Sequence, residues 1–360
     1  MPTADRAESV HPFVVKAAAY SWRLLVIAAV VVGVVFLAGQ MLVVAVPVVV
    51  AALMARGLWP VYRFLHDKGL KPALAAALSM LAFVVIVAAV IAVVGVTFAG
   101  EVDDLGATLE QGIEDVTDWL VDDSPWDVSR ADVERWREQI GDAASDFLRS
   151  GQGSVLSGAI VAGEVIVGFL LALIVTFFFL KDGRRFRDTA FGWLRADRRA
   201  PARRATERGW AAAGGYLKGA ATLGFVEGLA IGLSLWLVGG SLVVPVMLIT
   251  FVTAFVPIVG AVAAGIIAVL VALVTAGTVP ALIVAAVALV VQQVDNDVLA
   301  PVIYGKSLKL HPLVILLGIA AGGALFGFVG TFLAVPLLAV GINAVNGYRG
   351  VEPATEPEAH

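Results

Sequence analysis

The chain has no cysteine among its 360 residues, which excludes disulfides and thiolate metal sites and says little about compartment. Histidine is almost as scarce, with four scattered copies, so the sequence holds no metal-binding cluster. Charge is thin: 15% of residues are charged and 60% are hydrophobic, where a soluble domain is nearer a quarter and a half. Signatures of nucleophilic or metal-dependent hydrolysis (HExxH, GxSxG) are missing, which leaves an enzyme reading with little support. Alternation of the outer-membrane barrel kind is missing too. What fills the chain instead is a series of apolar runs of hydrocarbon length, read as helical spans of about 20 residues. The fold class that follows is all-α: a polytopic transmembrane helical protein.

The N-terminal segment has no small-residue cleavage site, and the apolar run behind it is too long for a signal peptide, so it reads as a retained first span. Residues 15–55 are apolar apart from Lys16, Arg23 and Gln40. One helix of that length would reach about 60 Å, twice the hydrocarbon thickness, so a break near Gly39 and Gln40 gives two spans. A basic loop follows, with Arg56, Arg63, Lys68 and Lys71 against Asp67, and a third span covers 72–99. Spans 1–3 thus make up residues 1–100.

Residues 101–150 differ sharply, with fifteen acidic and four basic residues. Leu105, Leu109, Ile113, Val116 and Leu120 recur at helical spacing, as do Val133, Trp136, Ile140, Ala143 and Phe147. The segment reads as a small, water-exposed pair of amphipathic helices inserted between spans. A fourth span occupies 151–181. Residues 182–218 read as a basic loop, with Arg198, Arg199, Arg203 and Arg204 at its densest. Lys and Arg are retained on the cytoplasmic side. The basic segments and the acidic insertion alternate across spans, so the N-terminus is expected inside and 101–150 outside. The arginines at 195–208 suit lipid headgroups and topology rather than nucleic acid.

The block 219–346 carries five charged residues: Glu227, Asp295, Asp297, Lys306 and Lys309. Prolines 245, 257, 280, 301, 312 and 336 punctuate it, each removing an amide donor. Gly318, Gly322, Gly323, Gly327 and Gly330 supply small-xxx-small pairs that let helices approach closely. Discontinuous or re-entrant helices are expected here, and 347–360 reads as a disordered cytoplasmic tail.

Helix breakers and ionisable groups at membrane depth are costly and mark pathways for polar species. Asp295 and Asp297 are the first candidates. Two apart, they do not share a helical face, but an unwound segment before Pro301 would let both enter one cavity. Alternatively they mark an aqueous loop, or pair with Lys306 and Lys309. Glu227 lies inside an apolar run, as a coupling carboxylate or as an interhelical hydrogen-bond partner; Glu164 is similar but sits in a less apolar setting. Pro257 with Gly260 breaks a helix, exposing backbone to a solute, or simply kinks it. Gln292 and Gln293 suit a hydroxylated solute or a neighbouring helix. His311 is a proton-relay candidate beside the aspartates, or the terminator of a segment. Residues 300–307 nearly fit a phosphate-binding loop, but the first glycine is missing and no strand precedes it. Without a nucleotide site, movement would be passive or driven by gradients. No cofactor is expected.

Five segments occur in a distinctive order: FFFLKDGRRF (177–186), GYLKGAATLGFVEGLAIG (215–232), FVPIVGAVAAG (255–265), QQVDNDVLAPVIYGKSLKLHPLVILL (292–317) and GGALFGFVGTFLAVPLLAV (322–340). Together they resemble the AI-2E family of transporters. The resemblance implies a bacterial or archaeal inner-membrane protein with about eight membrane segments and homo-oligomeric assembly. It also implies export of autoinducer-2, or Na+(Li+)/H+ antiport. Residues 256–261, Val-Pro-Ile-Val-Gly-Ala, depart from the family's usual pattern after the proline, which bears on local solute contacts rather than on the fold. The expected function is secondary transport of a small polar solute by alternating access coupled to an ion gradient. A cation/proton antiporter is the first alternative. A non-transporting membrane scaffold that uses the acidic insertion is the second.

Overall fold

In a computed structural model of the chain, the described residues are 44–99, 129–131, 135, 155–256, 259–299 and 311–351. They form helices joined by short turns, with no strand among them. The first expected span, the acidic insertion apart from four residues, and the tail beyond Val351 lie outside the described residues.

Eight helices organise the described residues. They are α1 (Val44–Asp67), α2 (Pro72–Ala99), α3 (Val155–Gly192), α4 (Ala196–Leu237), α5 (Val243–Thr253), α6 (Val259–Ala276), α7 (Thr278–Val294) and α8 (Pro312–Arg349). Seven helices among the described residues are long and apolar enough to cross a membrane, counting the second half of α8 as one of them. The apolar helices α5 and Leu313–Gly327 are shorter. An 11-residue helix such as α5 rises only about 16 Å, half a hydrocarbon thickness. The expected discontinuity of the C-terminal third is therefore present, in two places.

The basic stretches are helical where loops were expected. Helix α1 runs on through Arg56 and Arg63 and ends at Asp67. Arg56 is held by α4: its Nε donates to the Trp210 carbonyl at 2.9 Å, and its guanidinium lies 5.5 Å from the Trp210 ring centroid. In 182–218 the only non-helical residues are 193–195, between α3 and α4. Arg199 closes this corner by donating to the Leu194 and Gly192 carbonyls at 3.0 and 3.1 Å, where the end of α3 leaves acceptors unpaired. Arg204 and Arg208 reach the carbonyls of Gly347 and Val351, so the first turns of α4 are tied to the end of α8. Helix α8 itself persists to Arg349 and is capped by Gly350 in the left-handed region, three residues into the expected tail. Arginine and lysine are good helix formers, and charge density alone does not distinguish a loop from a helix that leaves the membrane.

Three buried clusters hold the helices together. Ala55 and Tyr62 of α1, Ala75 and Ala76 of α2 and Leu180 of α3 form one. Leu53 of α1, Ala213 of α4 and Leu333 of α8 form a second. The third joins Ile231 and Leu235 of α4, Val246 of α5, Ala268 and Val271 of α6, and Ala281 and Val284 of α7. Helix α4 thus belongs to both the α1–α8 contact and the α5–α7 group.

Glycine allows the closest approaches. Along α4, Gly224, Gly228 and Gly232 form one stripe against the antiparallel α5. A Cβ at 224 or 228 would stand 2.8 Å from the carbonyl oxygen of Phe251 or Met247, respectively. At Gly327 (φ 57°, ψ −141°) α8 folds back on itself, so that it is a hairpin of two legs, Leu313–Gly327 and Val329–Arg349. Gly318 faces Leu338, and Gly322 faces Gly330 and Ala334. The glycine spacing anticipated such a close approach.

Candidate functional site

Where α4, α5, α6 and α7 meet, they line an open cavity of about 440 Å³. Its walls are mostly Ala, Val, Ile and Leu, from Ala261 to Leu270 of α6 and Ala285 to Val291 of α7. Three polar side chains enter it: Glu227 of α4, Thr250 of α5 and Gln292 of α7. Thr250 is committed to its own helix, its hydroxyl donating to the Val246 carbonyl at 2.8 Å. Glu227 is 6% exposed. It lies between Lys218 and Leu237 on α4, about 14 and 15 Å of helix rise from each, which is close to mid-depth for a hydrocarbon layer of about 30 Å.

The carboxyl of Glu227 meets that of Asp295, which comes from the end of α7. Asp295 opens a five-residue π-helical turn, Asp295–Leu299. Such a turn widens the helix by one residue, and it falls just before Pro301, which has no amide hydrogen to donate. Asp295 Oδ1 is the one buried side-chain polar atom without a hydrogen-bond partner among the described residues. Two carboxylates side by side in apolar surroundings repel, and a proton or a monovalent cation between them relieves both. The arrangement is suited to binding one positive charge.

The other candidates separate from this pair. Asp297 is exposed, and its carboxylate accepts from Gln293 Nε2 one helical turn away, outside the cavity. His311 is the N-cap of α8, its Nδ1 accepting from the Leu313 amide at 3.2 Å. Gly260 does not line the cavity. It lets the start of α6 press against the end of α5, where a Cβ would lie 1.7 Å from the Thr253 carbonyl oxygen. The helix is interrupted between Thr253 and Val259, as expected, although Pro257 itself lies outside the described residues. So do Pro301, Lys306 and the side chain of Glu164. Among the described residues, no group of three or more His, Asp or Glu side chains could hold a metal ion.

Sequence reasoning missed Thr250, the glycine stripe on α4 and Tyr216. Tyr216 is buried and its hydroxyl donates to the Phe255 carbonyl at 2.9 Å, pinning α4 to the interruption before α6. Replacing it by phenylalanine keeps the ring and removes the bond. Tyr216→Phe should cost about 1 kcal/mol, read as a lower thermal unfolding midpoint of the purified protein.

A bundle of interrupted membrane helices around a mid-depth acidic pair defines a polytopic membrane protein of the transporter class. A family profile described as AI-2E family transporter matches residues 24–350, and the chain belongs to that family. Transport protein MT0215 of Mycobacterium tuberculosis (strain CDC 1551 / Oshkosh) is 32% identical over 349 residues, 96% of this chain and 94% of that one. Transport protein YrrI of Bacillus subtilis (strain 168) is 36% identical over 127 residues, 35% of this chain and 36% of its own. Permease PerM of Escherichia coli (strain K12) is 46% identical over 52 residues, 14% of this chain and 15% of its own. All three names are provisional. The chain is accordingly a membrane transporter by family.

Proposed function

We propose that this protein is a secondary transporter that exports a small polar solute such as autoinducer-2, by alternating access coupled to an ion gradient. One observation carries the reading: Glu227 and Asp295, from different helices, meet beside a cavity bounded by interrupted helices. Interrupted helices at mid-depth are where transporters place solute and coupling-ion sites. Helices α5–α7 would move against α1–α3, with α4 common to both. In this reading the protein sits in the inner membrane as a homo-oligomer with both termini cytoplasmic, its basic helix ends against lipid headgroups. The exposed apolar faces of α2, among them Ile86, Ile91 and Val96, would meet lipid or a second copy.

A second reading, Na+(Li+)/H+ antiport, is favoured by the composition of the cavity. Thr250 is already bonded to its own helix, which leaves two acids and one glutamine to greet a solute. That is ample for a small cation and sparse for a polyhydroxylated molecule.

Flux into vesicles of purified protein, with autoinducer-2, Na+, Li+ and H+ tested singly and in pairs, separates the two. Solute movement that collapses when the ion gradient is dissipated is the expected result. Cation-for-proton exchange with no solute movement would leave only the antiporter, and the absence of any flux would sink both.

A further inference from the structure

Another cavity, of about 390 Å³, shares no lining residue with the first and lies where the end of α1, the start of α2 and α3 converge. Trp59, Tyr62 and His66 follow one another at helical spacing on α1. The Tyr62 ring lies 5.3 Å from Trp59 and stacks on His66 at 5.8 Å. Around these rings stand three cations, Arg63, Lys181 and Arg184, with Asp67 as the acid in the lining. Arg63 and Lys181 have acidic neighbours, Asp67 and Asp182, each at 3.4 Å, and the Arg63–Asp67 pair is well exposed. Exposed pairs of that kind are worth little and open at little cost. Arg184 makes no ion pair among the described residues. Pro72, the first residue of the 28-residue α2, completes the wall, so the positive end of a long helix dipole adds to the field.

The depth of the cavity is as informative as its charge. After Glu164, helix α3 carries no charged residue up to Leu180 and is densely charged from Lys181 onward. The cavity straddles that boundary, which is the level of lipid headgroups, and Trp and Tyr are the residues that settle there. Arginine forks match phosphate oxygens bidentately, and the rings offer a surface for the glycerol and acyl-ester region. None of these side chains takes part in the Glu227–Asp295 site.

We infer that the cavity between α1, α2 and α3 binds a phosphate group through Arg63, Lys181 and Arg184, as the headgroup phosphodiester of an acidic phospholipid or as a soluble phosphate. Its occupation would tie the three helices together at the membrane surface.

The test uses the full-length protein in neutral detergent. Its thermal unfolding is followed while phosphatidylglycerol, phosphatidylcholine or inorganic phosphate is titrated in. Phosphatidylglycerol should raise the midpoint and phosphatidylcholine should not. The double variant Lys181→Gln/Arg184→Gln should need at least tenfold more phosphatidylglycerol for the same rise. Lys218→Gln, an exposed change on α4 outside the lining of the cavity, should leave the titration unaltered. If inorganic phosphate gives the same rise with the same dependence on Lys181 and Arg184, the site stands and its ligand is a soluble phosphate. A double variant that titrates like the parent protein, an equal loss in Lys218→Gln, or no rise with either ligand overturns the assignment. All the changed side chains are solvent-facing, and the midpoint without lipid reports whether each variant still folds.

Discussion

Glu227→Gln should abolish coupled transport while leaving the protein folded. Glutamine has the size of glutamate, so the wall of the cavity and the neighbouring glycine contacts of α4 are preserved. What is removed is the charge that, with Asp295, would hold a proton or cation. A hydrogen bond to a charged group is worth up to about 3 kcal/mol, so ion-driven flux should fall by ~100-fold or more. Asp295→Asn should match it. If the two acids form one site, the double variant should be no worse than either single one, because neighbouring groups that act as a unit are not additive. Asp297→Asn makes the comparison sharp, since that carboxylate is exposed and bonded to Gln293. It should keep transport within about twofold of the parent, in line with the small effects of most surface changes. Vesicle flux at a fixed ion gradient reads all four. Full activity in Glu227→Gln would remove the acidic pair from the mechanism.

Much of this site could be read from the residues, and the unreadable parts have physical reasons. Glu227 and Asp295 stood out because ionisable groups inside apolar runs are expensive. Their meeting did not, because no periodicity relates residues on helices so far apart in sequence. Asp297 was indistinguishable from Asp295 as long as the local helix type was unknown. The π turn adds one residue to the repeat and so decides which of the two acids faces Glu227. The apolar cavity wall left no mark, since alanine and valine facing a void look like alanine and valine facing lipid. The hairpin of α8 was partly legible through its glycines, whereas the helical course of α1 past Arg56 was hidden by counting charge as loop. That charge is accommodated by a contact with Trp210, which belongs to α4. The span pattern came from hydropathy alone, which works because a lipid-exposed backbone must satisfy its own hydrogen bonds.

The second large effect is expected at Gly330, where the two legs of α8 touch backbone to backbone. A Cβ there would lie 2.0 Å from the Gly322 carbonyl oxygen and 2.7 Å from Phe326 Cβ. Neither obstacle is the end of a flexible side chain, so the legs must separate for an alanine to fit. Overpacking costs about 1–3 kcal/mol in ordinary cores, and a clash with backbone belongs at the upper end. Gly330→Ala should therefore lower the unfolding midpoint clearly, whereas Gly341→Ala should not, since nothing lies within 4 Å of a Cβ at 341. Because the natural sequence has no cysteine, a single engineered pair can report the opening directly. A Cβ at 318 would lie 2.4 Å from Leu338 Cδ1, so Gly318→Cys with Leu338→Cys places two thiols within bonding reach across the hairpin. Oxidation should link them quickly in the parent background and much more slowly when Gly330→Ala is added. Equal linking in both backgrounds would mean that the legs tolerate the extra methyl, and that the glycines of α8 serve something other than this close approach.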